Sequence, residues 1–298
     1  EIGSGLVGSE MCIRDRLITF GMIGCGKNQV LKKENVNETN QEQATENKET
    51  AEEQQENTNN DTEEQSQSQI DYINIAPEEV KIPILMYHSI SDEDPSNNLL
   101  VPPAMFEEQM AWLEANNFTA MNMDEALEAM RTGKVPKRPV VITFDDGYAN
   151  NYTSAFPSLK NHKLKATFFV ITDGVDNGYY MSSDNLKEMQ DAGMSIENHT
   201  ANHLELNNLS KTDAYESIKR AQDYLRNVIG SDGNYLCYPV GKYNDETIQI
   251  EEELGIKAAV TTQGGFASIN DGLHTLKRVR ISPMSIEGFA SIFSEYIN

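Results

Sequence analysis

The chain has 298 residues and a formal net charge of −23 at pH 7, with 47 acidic side chains against 24 basic ones. No basic patch stands out, so we do not expect nucleic acid as a partner, and no feature points to an obligate protein partner. The three cysteines, Cys12, Cys25 and Cys237, are too few and too irregularly spaced for a disulfide framework or a zinc knuckle.

The N-terminal segment is not expected to form part of the fold. Residues 1–16 (EIGSGLVGSEMCIRDR) resemble a translated sequencing adapter and are set aside. Residues 17–25 form an apolar run that is too short to span a bilayer. This run resembles the truncated end of a bacterial lipoprotein signal, in which Cys25 would carry the lipid; the alternative is a chance apolar octamer before a cysteine. The resemblance predicts a bacterial, extracytoplasmic protein that is anchored in the membrane through Cys25 or secreted.

An acidic segment follows over residues 26–75. Its central part, residues 34–64, contains eleven acids, a single lysine (Lys48) and no aromatic, Leu or Ile residue. Such a composition cannot bury enough apolar surface to offset the entropy of ordering the chain. We therefore predict a disordered acidic linker, followed by one folded domain over residues 76–298 that is long enough for a substantial core.

From residue 82 onward, apolar runs alternate with amphipathic segments. The predicted strands are 82–88, 139–144, 166–171, 194–197, 235–238, 257–261 and 276–281. The predicted helices begin at Pro103, before Asn161, at Ser183, after Ser210, at Asp245 and near Ser285, with Ser183 and Asp245 as N-caps. Strands that are apolar on both faces and separated by helices predict an α/β fold with a parallel sheet. The pattern alone does not separate a barrel from an open sheet.

The first polar cluster follows the strand that ends at Phe144. It contains Asp145 and Asp146, two adjacent carboxylates that repel each other unless they share a cation or a proton. Neighbouring residues on a turn can point to different tasks, so that one carboxylate binds a metal and the other acts as a base. The alternative is an ordinary Asp-Gly turn in which the aspartate caps a helix.

The second polar cluster is Glu197–His203, which follows another predicted strand. His199 and His203 are four residues apart and would lie on one face if this stretch is helical. Two imidazoles on one face suit a divalent cation. The alternative is a pair of surface histidines.

The third cluster, Tyr238-Pro239-Val240-Gly241, also follows an apolar run. Proline and glycine at a strand end fix a turn and can expose a backbone N–H, although a plain turn is the alternative. In parallel α/β folds, sites gather at the carboxyl ends of the strands, and all three clusters are expected there.

Together these motifs resemble the polysaccharide deacetylase family (the NodB-homology family, carbohydrate esterase family four) over roughly residues 80–298. The order and spacing of TFDDGY and HTxxH carry the resemblance. It implies a distorted (β/α) barrel that removes acetyl groups from N-acetylated polysaccharide. It also implies Asp145 as the general base, and Asp146, His199 and His203 as ligands of one divalent metal ion, zinc or else cobalt or nickel.

The resemblance further implies that Tyr238, Pro239 and Val240 line the substrate site. A backbone N–H near Val240 would then stabilise the oxyanion of the tetrahedral intermediate.

Amide cleavage also needs a general acid for the departing amine. His274 lies near the place of a late Leu-x-His motif of many family members, but without its spacing. The run LMYHSI is similar to a subgroup acting on poly-N-acetylglucosamine, which makes His88 the first candidate and His274 the second. Many members have an arginine where this chain has Cys237, and Arg278 is the candidate to orient the base instead.

Two other functions remain open at this point. The acetyl group could be an ester, as on xylan, or the fold could serve as a non-catalytic carbohydrate-binding module. The presence of Asp145, Asp146 and both histidines argues against the second. Within the deacetylases, biofilm poly-N-acetylglucosamine and cell-wall glycan are both candidate substrates.

Overall fold

Seven parallel strands close into a barrel in the computed structural model, which describes residues 70–297. The predictions for residues 1–16, for the lipoprotein-like segment ending at Cys25, and for the linker as far as residue 69 lie outside the described residues.

The strands of the described residues, in chain order, are β1 (Tyr72–Asn74), β2 (Ile84–Tyr87), β3 (Thr119–Met121), β4 (Lys134–Pro136), β5 (Pro139–Phe144), β6 (Thr167–Val170), β7 (Ser195–Asn198), β8 (Tyr235–Cys237), β9 (Ala258–Gly264) and β10 (Leu276–Arg280). The helices are α1 (Pro103–Ala115), α2 (Met123–Thr132), α3 (Phe156–Asn161), α4 (Ser183–Asp191), α5 (Lys211–Ile229), α6 (Asp245–Leu254), α7 (Ile286–Ile292) and α8 (Ser294–Ile297). Within residues 70–297, none of the helices is long and apolar enough to cross a membrane.

The barrel strands follow the order β2-β10-β9-β8-β7-β6-β5, and β2 pairs with β5 to close the ring. The closing register places Leu85 opposite Ile142. The β9–β10 ladder shifts its register between Leu276 and Arg278, and β3 pairs with the first half of β5 outside the ring. The distorted (β/α) barrel implied by the resemblance is therefore confirmed.

A small antiparallel sheet of β1 and β4 precedes the barrel strand β5. Its corner is tight, because a Cβ on Gly133 would lie 1.9 Å from the carbonyl oxygen of Ile75, and Gly133 has a φ of 75°. β1 falls inside the segment predicted as linker. Ordered structure therefore begins before residue 76, where the chain regains aromatic and β-branched side chains.

The sequence pattern did not predict the three elements between α1 and β5, which are β3, α2 and β4. A capping box marks the start of α2: Asn122 Oδ1 accepts from the amide of Glu125 at 3.0 Å, and the Glu125 carboxylate accepts from the amide of Asn122. Met123, Leu127 and Met130 repeat at helical spacing and are buried. The sequence therefore held the signal for this helix.

Two predicted N-caps are wrong by one residue. Ser182, rather than Ser183, accepts from the amide of Asn185, and Asn244, rather than Asp245, accepts from the amide of Thr247. In both helices the capping side chain reaches the amide three residues on, which places the cap just before the first helical residue.

Alternate residues of the barrel strands face either the helices or the barrel interior, and they pack into three apolar clusters. Leu85, Ile142 and Phe168 pack with residues of α1, α3, α4 and α7, so this face of the strands meets the helices. Val141 and Val260 pack with α2 in the second cluster and point into the barrel. Thr143, two residues after Val141, therefore also points into the barrel, at the carboxyl end where the polar clusters lie.

Candidate metal centre

β5 ends in two aspartates that face different partners. The amide of Asp145 still continues the ladder and donates to the carbonyl of Tyr87 at 2.9 Å. Asp146 then adopts a φ of 73° and Gly147 a φ of 82°, so the chain turns through the left-handed region directly after the strand. A Cβ on Gly147 would lie 3.2 Å from a methyl group of Val170, so the turn also needs the space that glycine leaves.

Asp146 lies between the two histidines. Nε2 of His199 is 3.2 Å and Nε2 of His203 is 3.3 Å from Oδ1 of Asp146. Nδ1 of His199 lies 2.7 Å from the carbonyl oxygen of Cys237, an interaction that fixes the ring with Nε2 toward the carboxylate. His199 is buried, whereas 35% of the His203 side chain is exposed. The group therefore has one side open to solvent.

A loop, rather than a helix, brings the histidines together, so their spacing of four residues does not act here through a shared helical face. Residues 199–203 have no helical structure, and Thr200 and His203 have φ values of 63° and 55°. Oδ1 of Asn198 accepts from the amide of Thr200 at 2.7 Å, and Oγ1 of Thr200 accepts from the amide of His203 at 3.0 Å. These local hydrogen bonds take the place of a helical ladder and hold both rings toward Asp146.

The three residues fit a divalent cation. Their ligand atoms, one carboxylate oxygen and two imidazole nitrogens, lie within 4.8 Å of one another. Two imidazoles and a carboxylate form a donor set that suits zinc, cobalt and nickel, and it leaves coordination positions for water and substrate.

A neighbouring group of Asp145, His199 and Cys237 is equally compact. Both oxygens of Asp145, and the Cys237 sulfur, already face the Arg278 guanidinium. A second positive charge there would be repelled, and burial raises the pKa of the Cys237 thiol, which disfavours the thiolate that a metal needs. The group around Asp146 is therefore the candidate metal centre.

Arg278 is buried in the barrel. It donates two parallel hydrogen bonds to Asp145, from Nη1 to Oδ1 at 2.7 Å and from Nη2 to Oδ2 at 2.8 Å. Its other donors reach Oγ1 of Thr143 at 3.1 Å and the carbonyl of Thr261 at 2.9 Å. Burial alone would raise the pKa of Asp145, but the charge and hydrogen bonds of Arg278 outweigh burial and hold that pKa well below its usual range. Asp145 is an ionised carboxylate in a fixed orientation.

His88 lies within reach of the same carboxylate. Its Nε2 is 3.8 Å from Oδ2 of Asp145, and its backbone carbonyl accepts from Nδ2 of Asn151 at 2.7 Å. Burial lowers the pKa of His88, although the carboxylates of Asp145 and Asp146 oppose that shift. The imidazole is therefore neutral at neutral pH.

His274 belongs to a different cluster. Its Nδ1 lies 2.5 Å from Oε2 of the buried Glu251, and its carbonyl accepts from the Tyr238 hydroxyl at 2.8 Å. The structure thus brings His88, and not His274, to the two aspartates.

The residues of the Tyr238–Gly241 turn differ in their exposure to solvent. The Tyr238 ring is buried and stacks on Tyr243 with centroids 4.5 Å apart, so its side chain does not line an open site as predicted. Pro239 is buried, whereas Val240 is 56% exposed and has a φ of 53°. A β-branched residue in the left-handed region is strained, and such strain is found at functional turns.

The sequence interpretation did not single out Asn151 and Asn198. Both are buried polar side chains beside a cluster: Asn151 holds the carbonyl of His88, and Asn198 holds the loop of the two histidines. Asn198 ends a short apolar run, where burial of its amide requires a hydrogen-bond partner, whereas Asn151 lies in a polar stretch that carries no such signal.

Comparison with known proteins gives consistent matches. Residues 132–259 match the family model described as polysaccharide deacetylase, a range that includes both aspartates and both histidines but neither His88 nor Arg278. A Bacillus subtilis protein named polysaccharide deacetylase YxkH is 40% identical over 218 residues, which is 73% of this chain and 76% of that protein.

Two further relatives cover most of the described residues. The poly-β-1,6-N-acetyl-D-glucosamine N-deacetylase of Staphylococcus epidermidis is 27% identical over 230 residues, 68% of this chain and 80% of that protein. Among solved structures, that of the Streptococcus pyogenes deacetylase PplD in complex with acetate has a TM-score of 0.70 and 36% identity, and covers 72% of this chain and 99% of that chain.

Proposed function

The chain belongs to the polysaccharide deacetylase family, and we propose that it hydrolyses the acetamide of N-acetylglucosamine residues in a polysaccharide, with the β-1,6-linked polymer as first candidate. Members of this family are hydrolases that act on carbon–nitrogen bonds. The observation that carries the proposal is the convergence of Asp146, His199 and His203 beside an oriented, ionised Asp145.

Asp146, His199 and His203 would hold one divalent metal ion, with zinc as first choice and cobalt or nickel as alternatives. When bound, such an ion supplies a Lewis acid that polarises an acetyl carbonyl and lowers the pKa of water. His199 is the most constrained ligand, because its second nitrogen is hydrogen-bonded to the carbonyl of Cys237.

Asp145 acts as the general base and accepts a proton from the attacking water. Arg278 is its positioning residue, because the two parallel bonds leave the carboxylate one orientation and keep it charged. As the carbon–oxygen bond forms, the carbonyl oxygen gains negative charge, and the exposed Val240 turn would offer a backbone N–H to it. Tyr238 and Pro239 support that turn from beneath.

His88 delivers a proton to the departing nitrogen. The imidazole is neutral at rest, and its Nε2 lies 3.8 Å from Oδ2 of Asp145, the oxygen that would take up the water proton. The proton therefore has a short path from Asp145 to His88 and then to the amine. Cleavage of the carbon–nitrogen bond releases a free amine and acetic acid, which loses its proton to solvent as acetate, and both residues return to their starting state. His274, paired with Glu251, takes no part.

The choice of polymer rests on two observations. The Staphylococcus epidermidis relative is named for poly-β-1,6-N-acetyl-D-glucosamine, and it aligns over 80% of its length. His88 also comes from the LMYHSI run after β2, as the resemblance to that subgroup implies. Cell-wall glycan is the alternative polymer.

We also propose that the enzyme works outside the cytoplasmic membrane. A polymer substrate of this kind lies outside the cell, and the apolar run that ends at Cys25 fits a lipid anchor followed by an acidic tether over residues 26–69.

The test is acetate release from matched substrates by the full chain with added zinc. We expect the highest kcat/KM on β-1,6-linked N-acetylglucosamine oligomers, a lower value on β-1,4-linked oligomers of equal length, and none on either with Asp146→Ala. Release from acetylated xylan alone would instead make the protein an esterase.

A further inference from the structure

The loops around the metal centre carry exposed apolar side chains. In the described residues 70–297, Tyr179 is 65%, Val240 56% and Leu204 47% exposed, and they lie in the loops that follow β6, β8 and β7. The other large apolar side chains of comparable exposure belong to the first residues described, near β1, or to α8. Apolar and aromatic side chains on the loops around a reactive site are the kind of lining that ligand sites use.

The Tyr179 loop is tied to the segment that follows Asp146. The amide of Met181 donates to the carbonyl of Gly147 at 2.9 Å, and the amide of Ala149 donates to the carbonyl of Tyr179 at 3.0 Å. Oδ1 of Asn177 accepts from the amide of Tyr179 at 2.9 Å, which closes the turn before it. The position of Tyr179 is thus fixed relative to the candidate metal centre.

The ring of Tyr179 stands on a base of two other tyrosines. Tyr148 and Tyr180 stack with centroids 5.6 Å apart and an interplanar angle of 15°. The Tyr179 ring is perpendicular to both, at 5.5 Å from Tyr148 and 5.1 Å from Tyr180. A Cβ on Gly174 would lie 2.5 Å from the Tyr180 ring, so the base is closely packed. Tyr179 therefore presents an aromatic ring to solvent in a fixed orientation.

The base tyrosines also place this surface close to Asp146. Tyr148 follows Asp146 by two residues, and its ring stacks on that of Tyr180. The tyrosine base is therefore joined to the chain directly after the metal-binding carboxylate.

We propose that Tyr179 stacks on a pyranose ring of the polymer that adjoins the residue undergoing deacetylation. This inference rests on the proposed function. A polymer extends past the reacting sugar, so its next residues must lie on the loops around the metal centre. A β-linked glucosamine ring with equatorial substituents presents a face of C–H groups, which packs on an aromatic ring. Tyrosine supplies that area at a small entropic cost, and the tyrosine base lowers the cost further.

The experiment measures KM and kcat of the zinc-loaded full chain on N-acetylglucosamine oligomers from dimer to hexamer. For Tyr179→Ala we expect the KM of the longer oligomers to rise about tenfold, which corresponds to the loss of about 1.4 kcal/mol of binding. The rise for the dimer should be smaller and kcat should change less than KM, because the ring binds a sugar remote from the reacting bond. Tyr179→Phe keeps the aromatic face and should stay close to wild type.

Tyr72→Ala is the matched control, since Tyr72 is also exposed but lies on β1, away from the carboxyl ends of the barrel strands. An unchanged KM in Tyr179→Ala, or an equal loss on all chain lengths, would overturn the inference. A metal-dependent wild type with that result would leave the proposed function intact. Failure of wild type to release acetate from any oligomer would overturn both.

Discussion

The ionic pair of Arg278 and Asp145 decides how the base works. Both oxygens of the carboxylate accept hydrogen bonds from the guanidinium. The same guanidinium also donates to Oγ1 of Thr143 and to the carbonyl of Thr261. A planar guanidinium that is hydrogen-bonded at every donor cannot rotate, so it fixes the orientation of the carboxylate relative to the barrel. A lysine at the same position offers a point charge without that geometry.

We therefore predict that Arg278→Lys lowers kcat by about 100-fold, because a base displaced by a small distance loses much of its effect. The measurement is steady-state acetate release, together with circular dichroism to verify the fold. Arg226→Lys is the control, since Arg226 also pairs with an aspartate, Asp232 at 2.8 Å, but at the surface. Equal kcat values in Arg278→Lys and wild type would show that the pair does not orient the base.

At the residue scale, the sequence was most informative where chemistry and local spacing coincide. Asp145 with Asp146, and His199 with His203, were identified from short motifs, and the structure brings them together. The choice between His88 and His274 stayed open, because it depends on which strand end faces the aspartates. The histidine pair does not share a helical face, because side-chain hydrogen bonds of Asn198 and Thr200 stabilise a loop in which Thr200 and His203 have positive φ values.

The elements of the helix layer are joined by polar contacts as well as by the core. His162, just after α3, places Nε2 2.8 Å from Glu107 and Nδ1 2.6 Å from Glu114, both on α1. Partial burial lowers the pKa of His162, but the hydrogen bonds that its ring donates to Glu114 and Glu107 outweigh burial and raise the pKa above its usual value. The folded state therefore binds a proton at this histidine more tightly than the unfolded chain does.

This linkage predicts a pH-dependent effect of His162→Gln. A raised pKa in the folded state means that the stabilisation is complete below about pH 6.5 and is lost as pH rises through the folded pKa. The melting temperature of the variant should thus fall furthest below wild type near pH 5.5, with a smaller gap near pH 8.5.

Lys165→Gln serves as the control for this pH series. It removes a surface pair with Glu125 that contains no histidine. A gap for His162→Gln that stays constant with pH, like that of the control, would show that the histidine does not join α3 to α1 through its charge.

Most barrel strands and helices were predicted because their apolar runs are continuous and their ends carry glycine, proline or capping residues. β5 and the start of α1 agree with the prediction, and the caps at Ser182 and Asn244 differ by one residue. Closure of the barrel was outside the reach of pattern analysis. It depends on the pairing of β2 with β5, which are separated by α1, α2 and two short strands, and nothing local in either strand indicates its partner.

The whole molecule gathers its ligands from separate strand ends, with Asp146 after β5 and both histidines after β7. A metal that binds this arrangement and not the unfolded chain stabilises the fold by about 2.7 kcal/mol at a concentration of 100 times its Kd. We predict that chelation lowers the melting temperature of the full chain by several degrees and that zinc restores it.

Asp146→Ala should melt at the same temperature with and without zinc. Asp173→Ala, which removes a surface partner of Arg220, should respond to zinc like wild type. A zinc-dependent shift that persists in Asp146→Ala would place the metal elsewhere.

The metal-dependent deacetylase activity is tested by acetate release from N-acetylglucosamine oligomers by the full chain, measured after chelation, after return of zinc, and in Asp146→Ala and Asp145→Asn. We predict no release after chelation, recovery with zinc, and none in Asp146→Ala. Asp145→Asn should bind zinc but lose activity by about 100-fold or more, as expected for a general base. Release that survives chelation would show that the reaction needs no metal, and release at the wild-type rate in Asp145→Asn would show that Asp145 is not the base.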